Sequence, residues 1–220
     1  MALKPSPNSL KAKPISYREH FGLVWAAMFS GLLLMLVFLV TSDFGFITVN
    51  DNLYRLLSLN NDFQHNKIWP IQAMTHLLIH ADLLHLFSNV LGLGVASVYQ
   101  RRVGARRFFA VLCVASVASI PSILLFSEPV SVCGISGGIF GLAAAYFTDE
   151  DGLSFKEWGS AILLFVFLMA LFSLQSTFYR HSSVSLDLNI DHLGHAMGAM
   201  GAIIYCRLKP RAMGKQAESG

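Results

Sequence analysis

The feature that most constrains this chain is an uninterrupted apolar run near its start. Residues 21–42, FGLVWAAMFSGLLLMLVFLVTS, contain no charged side chain. As a helix they would cover about 33 Å, enough to cross the roughly 30 Å hydrocarbon core of a bilayer. No small-residue cleavage pattern follows the run, so it predicts a retained membrane anchor rather than a removed signal peptide. With 54% hydrophobic and 13% charged residues among 220, the whole chain is too apolar for an ordinary soluble domain.

Five further segments complete the prediction of an all-α membrane protein with a bundle of six transmembrane helices. Two of them are as plainly apolar as the first run, and three are interrupted by glycine, histidine or serine. Because polar groups are costly against lipid, the three polar spans are expected to face one another. The predicted organisation is a cytoplasmic tail (1–20), one membrane domain (21–206) and a second cytoplasmic tail (207–220), with spans at about 21–42, 83–99, 108–126, 134–148, 158–176 and 191–206.

The distribution of basic residues predicts the orientation. Thirteen of the sixteen Lys and Arg residues lie in the two tails and in the loops 100–107 and 149–157. By the positive-inside rule, both termini are then cytoplasmic. The same distribution explains the net charge of +3 and argues against nucleic-acid binding, since the basic residues are dispersed without interleaved aromatics. We expect a multi-pass protein of a bacterial inner membrane, with an organelle membrane as the alternative.

The long segment between the first two spans, residues 43–75, mixes aromatics with short apolar runs. It predicts an amphipathic element that lies at the membrane interface without crossing it.

The second span is dense in polar residues. On one continuous helix, the pair His76 and His80 would point nearly opposite to the pair His85 and Asn89. A break between the pairs is therefore predicted, with Asp82 as the N-cap of the spanning helix. His85 and Asn89 would then share one face of its first two turns.

Ser136 lies among glycines and apolar residues in VSVCGISGGIF. A helix from Gly134 to Thr148 covers about 22 Å, which is less than the hydrocarbon thickness, so it must begin inside the membrane at a protein-lined cavity. There, unpaired N–H groups and the helix dipole favour negative charge, as an acyl-transfer oxyanion needs. Gly134 and Gly137 would permit close approach of another backbone.

The last span, NIDHLGHAMGAMGAIIY, carries His192 and His195 near its outer end. Gly194 and Gly198 form a small-xxx-small pattern that lets this helix pack closely on a neighbour. If the neighbour is the helix of Ser136, a histidine could reach the serine hydroxyl as general base.

Together these segments resemble the rhomboid intramembrane serine proteases. HLLIHADLLHLFSN is similar to their His-x3-His-x4-His-x3-Asn signature, GISG to their Gly-x-Ser-Gly, and GHAMG to the Ala/Gly-His-x-x-Gly of their last core helix. The resemblance implies an endopeptidase that hydrolyses peptide bonds in or near transmembrane segments of membrane-anchored proteins in the lipid bilayer, without a cofactor or metal. The small size and DHLGH also resemble the rhombosortase branch.

By that resemblance Ser136 is the nucleophile and His195 its base, a dyad without a carboxylate. His195 is preferred to His192 because it follows a small residue and precedes x-x-Gly. Asn89, His85 and the backbone N–H of Ser136 would form the oxyanion hole. Four residues would shape the site: Gly134, Gly137, Phe140 and Gly198.

The chain departs from the family pattern at two places. Phe140 takes the position where many members have a tyrosine that stacks on the histidine; it can stack but cannot donate a hydrogen bond. Ile71 and Gln72 stand where many members have Trp-Arg, just before the histidine series.

Three alternatives use the same residues. GISGG also fits the nucleophile elbow of a soluble α/β-hydrolase, with VSVC as the preceding strand. His76, His80 and His192 could instead bind zinc, since paired histidines at i and i+4 are a ligand pattern. A non-catalytic rhomboid-like protein that binds transmembrane helices is the third.

Overall fold

The computed structural model describes residues 17–62, 66–149 and 191–211, with a few positions between 155 and 170. Two short strands, β1 (Leu59–Asn60) and β2 (Ser131–Val132), pair antiparallel with each other. The helices are α1 (Tyr17–Thr41), α2 (Asp51–Leu57), α3 (Trp69–Thr75), α4 (Leu83–Ser119), a 3₁₀ helix (Ile120–Leu125), α5 (Ser136–Thr148) and α6 (His192–Leu208).

The fold is that of an all-α membrane protein. Two stretches of the described chain, Val24–Thr41 and Leu83–Leu125, are long and apolar enough to cross a bilayer, and they coincide with three predicted spans. Large apolar side chains on α1, such as Phe29 and Leu32, are more than half exposed, as a lipid-facing surface requires. α5 and α6 occupy the fourth and sixth predicted spans. The 158–176 span, the tail 1–20 and most of the tail 207–220 lie outside the described residues.

The predicted loop 100–107 is wrong. The helical conformation of α4 passes through this basic segment and is interrupted at Gly104, with φ 80° and ψ 166°. Glycine adopts this positive φ without the steric cost that a side chain would impose. The second and third predicted spans therefore form two arms of α4, 83–103 and 105–119, joined at one glycine.

A charged cluster joins these two arms to α5. Arg107 donates to both carboxylate oxygens of Asp149, at 3.2 and 2.5 Å, and the Tyr99 hydroxyl donates to the same carboxylate at 2.6 Å. The guanidinium also lies 4.8 Å from the ring centroid of Tyr205 on α6. These contacts hold α4 and α6 to the C-terminal end of α5, whereas Ser136 lies at its N-terminal end.

The segment 43–75 forms several elements rather than the one predicted: a turn, α2, β1 and α3. Buried Gln72 connects them. Its side-chain oxygen accepts from Asn60 at 3.2 Å and Asn66 at 2.5 Å, and its amide nitrogen donates to the carbonyl oxygens of Arg55 and Leu56 at 3.2 and 3.1 Å. The Gln72 side chain thus connects α2, β1 and α3 by hydrogen bonds.

Gln72→Ala is expected to lower the free energy of unfolding by roughly 1–3 kcal/mol, because it leaves buried polar partners without a hydrogen bond. The measurement is thermal unfolding of the detergent-purified protein. Met74→Ala on the same helix is the control, since Met74 is 66% exposed. Equal unfolding temperatures for Gln72→Ala and wild type would show that Gln72 is not a structural hub.

Candidate active site

Ser136 is buried and lies in the first turn of α5, as predicted, although the helix begins at Ser136 itself rather than at Gly134. The chain enters the helix through Gly134, which has φ +99° and donates its N–H to the His76 carbonyl at 2.7 Å. A Cβ on Gly134 would lie 2.8 Å from Nε2 of His85. Glycine is therefore required here by its backbone conformation and by the closeness of the imidazole ring.

The structure brings His195 to Ser136. The two side chains are buried, and His195 Nε2 lies 2.8 Å from Ser136 Oγ. When the imidazole carries its proton on Nδ1, Nε2 accepts the hydroxyl hydrogen, which is the geometry that a general base needs. The Phe140 ring stacks on His195 with a centroid separation of 4.3 Å and an interplanar angle of 15°, so the stacking predicted for Phe140 is confirmed.

Close packing of α6 on α5 makes this contact possible. A Cβ on Gly198 would lie 2.8 Å from the carbonyl carbon of Gly137, and closer still to its oxygen. A Cβ on Gly137 would in turn lie 2.6 Å from Ser119. The two helices thus meet backbone to backbone at Gly137, the residue after Ser136, as the small-xxx-small pattern predicts.

The break before the second span is also confirmed. α4 begins at Leu83, and Asp82 caps it by accepting the N–H of His85 at 2.8 Å. Asn89, fully buried, donates one amide hydrogen to the His85 carbonyl at 2.9 Å. Its second amide hydrogen remains for another acceptor.

A small cavity of about 30 Å³ opens at Ser136 and His195, a volume that suits one or two water molecules. His85 and Asn89, the two side chains expected to act as oxyanion donors, are not among the residues that line this cavity. The lining residues are His76, Ser119, Ile120, Val132, Cys133, Gly134, Ser136, Gly137, Asp191, Gly194 and His195.

Cys133 lines the same cavity as the serine and lies in the segment between the 3₁₀ helix and α5. Burial raises the pKa of its thiol, which disfavours the thiolate. Since the thiolate is the reactive form of cysteine, burial makes Cys133 a weaker nucleophile.

The structure gives no support to two of the alternatives. No group of three or more His, Cys, Asp or Glu residues in the described ranges could hold a metal ion, and His76 Nδ1 already contacts the Gln72 carbonyl at 2.9 Å. VSVC does contribute β2, but the strands of the described chain comprise only β1 and β2. An α/β-hydrolase sheet is therefore absent from this part of the molecule.

Two site residues escaped the sequence analysis. Asp191 is the N-cap of α6, and Ser122 of the 3₁₀ helix donates a hydrogen bond to its carboxylate. Asp191 had a sequence signal, since Asp immediately before a helix is a preferred cap. Ser122 had none, because a serine in an apolar span usually bonds to its own helix.

Comparison with protein families matches the Rhomboid domain to residues 65–211. This range includes the histidine series, Ser136 and His195. Comparison with curated proteins gives no match.

Proposed function

The chain belongs to the rhomboid family, and on that premise we propose that it is an intramembrane serine endopeptidase. Its substrates are transmembrane or membrane-anchored proteins, cleaved near the outer boundary of the membrane. Ser136 is the nucleophile, and His195 is the general base. The observation that carries this proposal is the buried 2.8 Å contact between Ser136 Oγ and His195 Nε2.

The proposed reaction has two steps. In the first, His195 takes the hydroxyl proton as Ser136 Oγ attacks the scissile carbonyl, and the imidazolium then protonates the leaving amine. In the second, a water molecule loses a proton to His195 and attacks the acyl-enzyme, which releases the new carboxyl end and returns the proton to Ser136. The cavity beside the dyad is large enough for that water.

The oxyanion hole of this proposal consists of the backbone N–H of Ser136, the free amide hydrogen of Asn89, and His85. The first lies at the positive end of α5, where a developing negative charge is stabilised. Gly134 and Gly137 keep the approach to the serine open, Phe140 supports the imidazole, and Gly198 holds α6 close. No cofactor takes part.

The topology is part of the proposal. The proposed protein lies in a bacterial inner membrane, with six spans within residues 21–206 and cytoplasmic tails at 1–20 and 207–220. In this arrangement Ser136 lies towards the outer side of the membrane. A substrate helix must unwind to offer its scissile carbonyl there, so helix-breaking residues near the cut are expected. Assignment to the rhombosortase branch stays a prediction.

The deciding experiment treats the detergent-purified protein with a fluorophosphonate probe and reads the intact mass. Wild type is expected to gain one covalent adduct, and Ser136→Ala none, because only an activated serine attacks the phosphorus centre. An unlabelled wild type that is folded would favour the alternative, a non-catalytic rhomboid-like protein that binds transmembrane helices. Labelling of both proteins would place the adduct on another residue and remove the support for Ser136.

A further inference from the structure

The start of α6 is held by one side chain, that of Asp191. Its Oδ1 accepts the N–H of Gly194 at 2.7 Å, and its Oδ2 accepts the hydroxyl of Ser122. Its backbone carbonyl accepts the N–H of His195 at 3.1 Å. Three groups thus converge on the residue that precedes the helix carrying the general base.

These bonds affect His195 because it lies close to the start of the helix that they hold. α6 begins at His192, so His195 is its fourth residue and lies in the first turn. The N–H groups of residues 192–194, which precede it, lack carbonyl partners within the helix, and without a cap this turn frays. Fraying here would move the imidazole whose Nε2 must stay 2.8 Å from Ser136 Oγ.

A lateral contact holds the cap itself in place. Buried Ser122 belongs to the 3₁₀ helix that follows α4, and its hydroxyl also lies 2.8 Å from the carbonyl oxygen of Ser119. Ser119 in turn packs against Gly137 of α5, because a Cβ on that glycine would lie 2.6 Å away. The carboxylate is therefore fixed relative to the helix of the nucleophile, and α6 is fixed with it.

Gly194 completes this arrangement. A Cβ on Gly194 would lie 2.7 Å from the carboxylate carbon of Asp191 and 3.0 Å from Ser122 Oγ. Only a residue without a side chain lets the carboxylate lie flat against the first turn and reach both partners.

We propose that Asp191, held by Ser122, is the positioning residue for the general base: it fixes where α6 begins and thereby sets the distance from His195 to Ser136. This inference rests on the proposed protease function. Asp191 acts through the helix start, and it neither attacks the substrate nor accepts the serine proton.

The test measures the rate constant of fluorophosphonate acylation and the apparent affinity for the probe, on full-length protein in detergent. Asp191→Ala is expected to slow acylation on the order of 10- to 100-fold with unchanged probe affinity, because small displacements of a catalytic group have effects of this size. Asp191→Asn should restore most of the rate, since asparagine is an equally good cap. Ser122→Ala should fall between Asp191→Ala and wild type.

A matched control separates positioning from general stability. Asn50 caps α2 in the same way, accepting the N–H groups of Asn52 and Leu53 at 2.9 and 3.3 Å. Asn50→Ala should lower the unfolding temperature about as much as Asp191→Ala, yet acylate at the wild-type rate.

The outcomes are distinguishable. A folded Asp191→Ala protein that acylates at the wild-type rate overturns the inference, as does an Asp191→Asn protein that is as slow as Asp191→Ala. If Asp191→Ala does not fold, Ser122→Ala decides, and a wild-type rate for it overturns the inference. Failure of the proposed function looks different, because wild type itself would then gain no adduct.

Discussion

His195→Ala is expected to abolish acylation of Ser136 and cleavage of membrane-anchored substrates. Its Nε2 is the basic atom 2.8 Å from the serine hydroxyl, and an alanine there leaves the serine with its proton. Loss of one member of such a catalytic pair costs on the order of 10⁴- to 10⁶-fold in rate. The measurement is the fluorophosphonate acylation rate, together with the unfolding temperature to verify that the protein is folded.

His192→Ala is the matched control. His192 is on the same helix and its ring centroid lies 6.2 Å from that of His195, but its side chain is exposed. Its replacement should therefore leave the acylation rate close to that of wild type. If His192→Ala lost activity and His195→Ala kept it, the two histidines would have been assigned the wrong way round.

The parts of the fold that could be predicted depend on local rules or on spacing within one element. The break before α4 follows from the incompatible faces of its polar residues, and Asp82 is an ordinary capping residue. The place of Ser136 in the first turn of α5 follows from a segment too short to cross the bilayer as a helix. The approach of α6 to α5 follows from Gly198 and its neighbours.

The parts that could not be predicted depend on contacts between residues far apart in sequence, or on one backbone angle. Nothing near Gly104 shows that a single residue, rather than a loop, joins the arms of α4. Gln72 connects several elements because α2 and β1 place hydrogen-bond partners, the Arg55 carbonyl and the Asn60 side chain, next to its amide group. Ser122 and Asp191 are 69 positions apart, so their hydrogen bond exists only once α6 has packed. The dyad itself needs such packing, which is why a motif could suggest its members but not their distance.

Gly198→Ala is expected to reduce the acylation rate by about 10²-fold, although the change adds a single methyl group. That methyl would overlap the Gly137 carbonyl, and a backbone group cannot rotate away as a side chain can. The helices must separate, and with them His195 and Ser136; a displacement of about 1 Å costs roughly this factor. The measurement is the acylation rate at a temperature where the variant is folded.

Gly94→Ala supplies the control for adding a methyl group to a helical glycine. A Cβ on Gly94 would meet no atom within 4 Å, so this variant should acylate at the wild-type rate. Its unfolding temperature should be unchanged or higher, because alanine in place of a helical glycine raises the free energy of unfolding by up to about 1 kcal/mol. Wild-type activity in Gly198→Ala would show that α6 can move away from α5 without displacing His195 from Ser136. The close contact of the glycines would then serve packing alone, and the dyad distance would depend on the cap at Asp191.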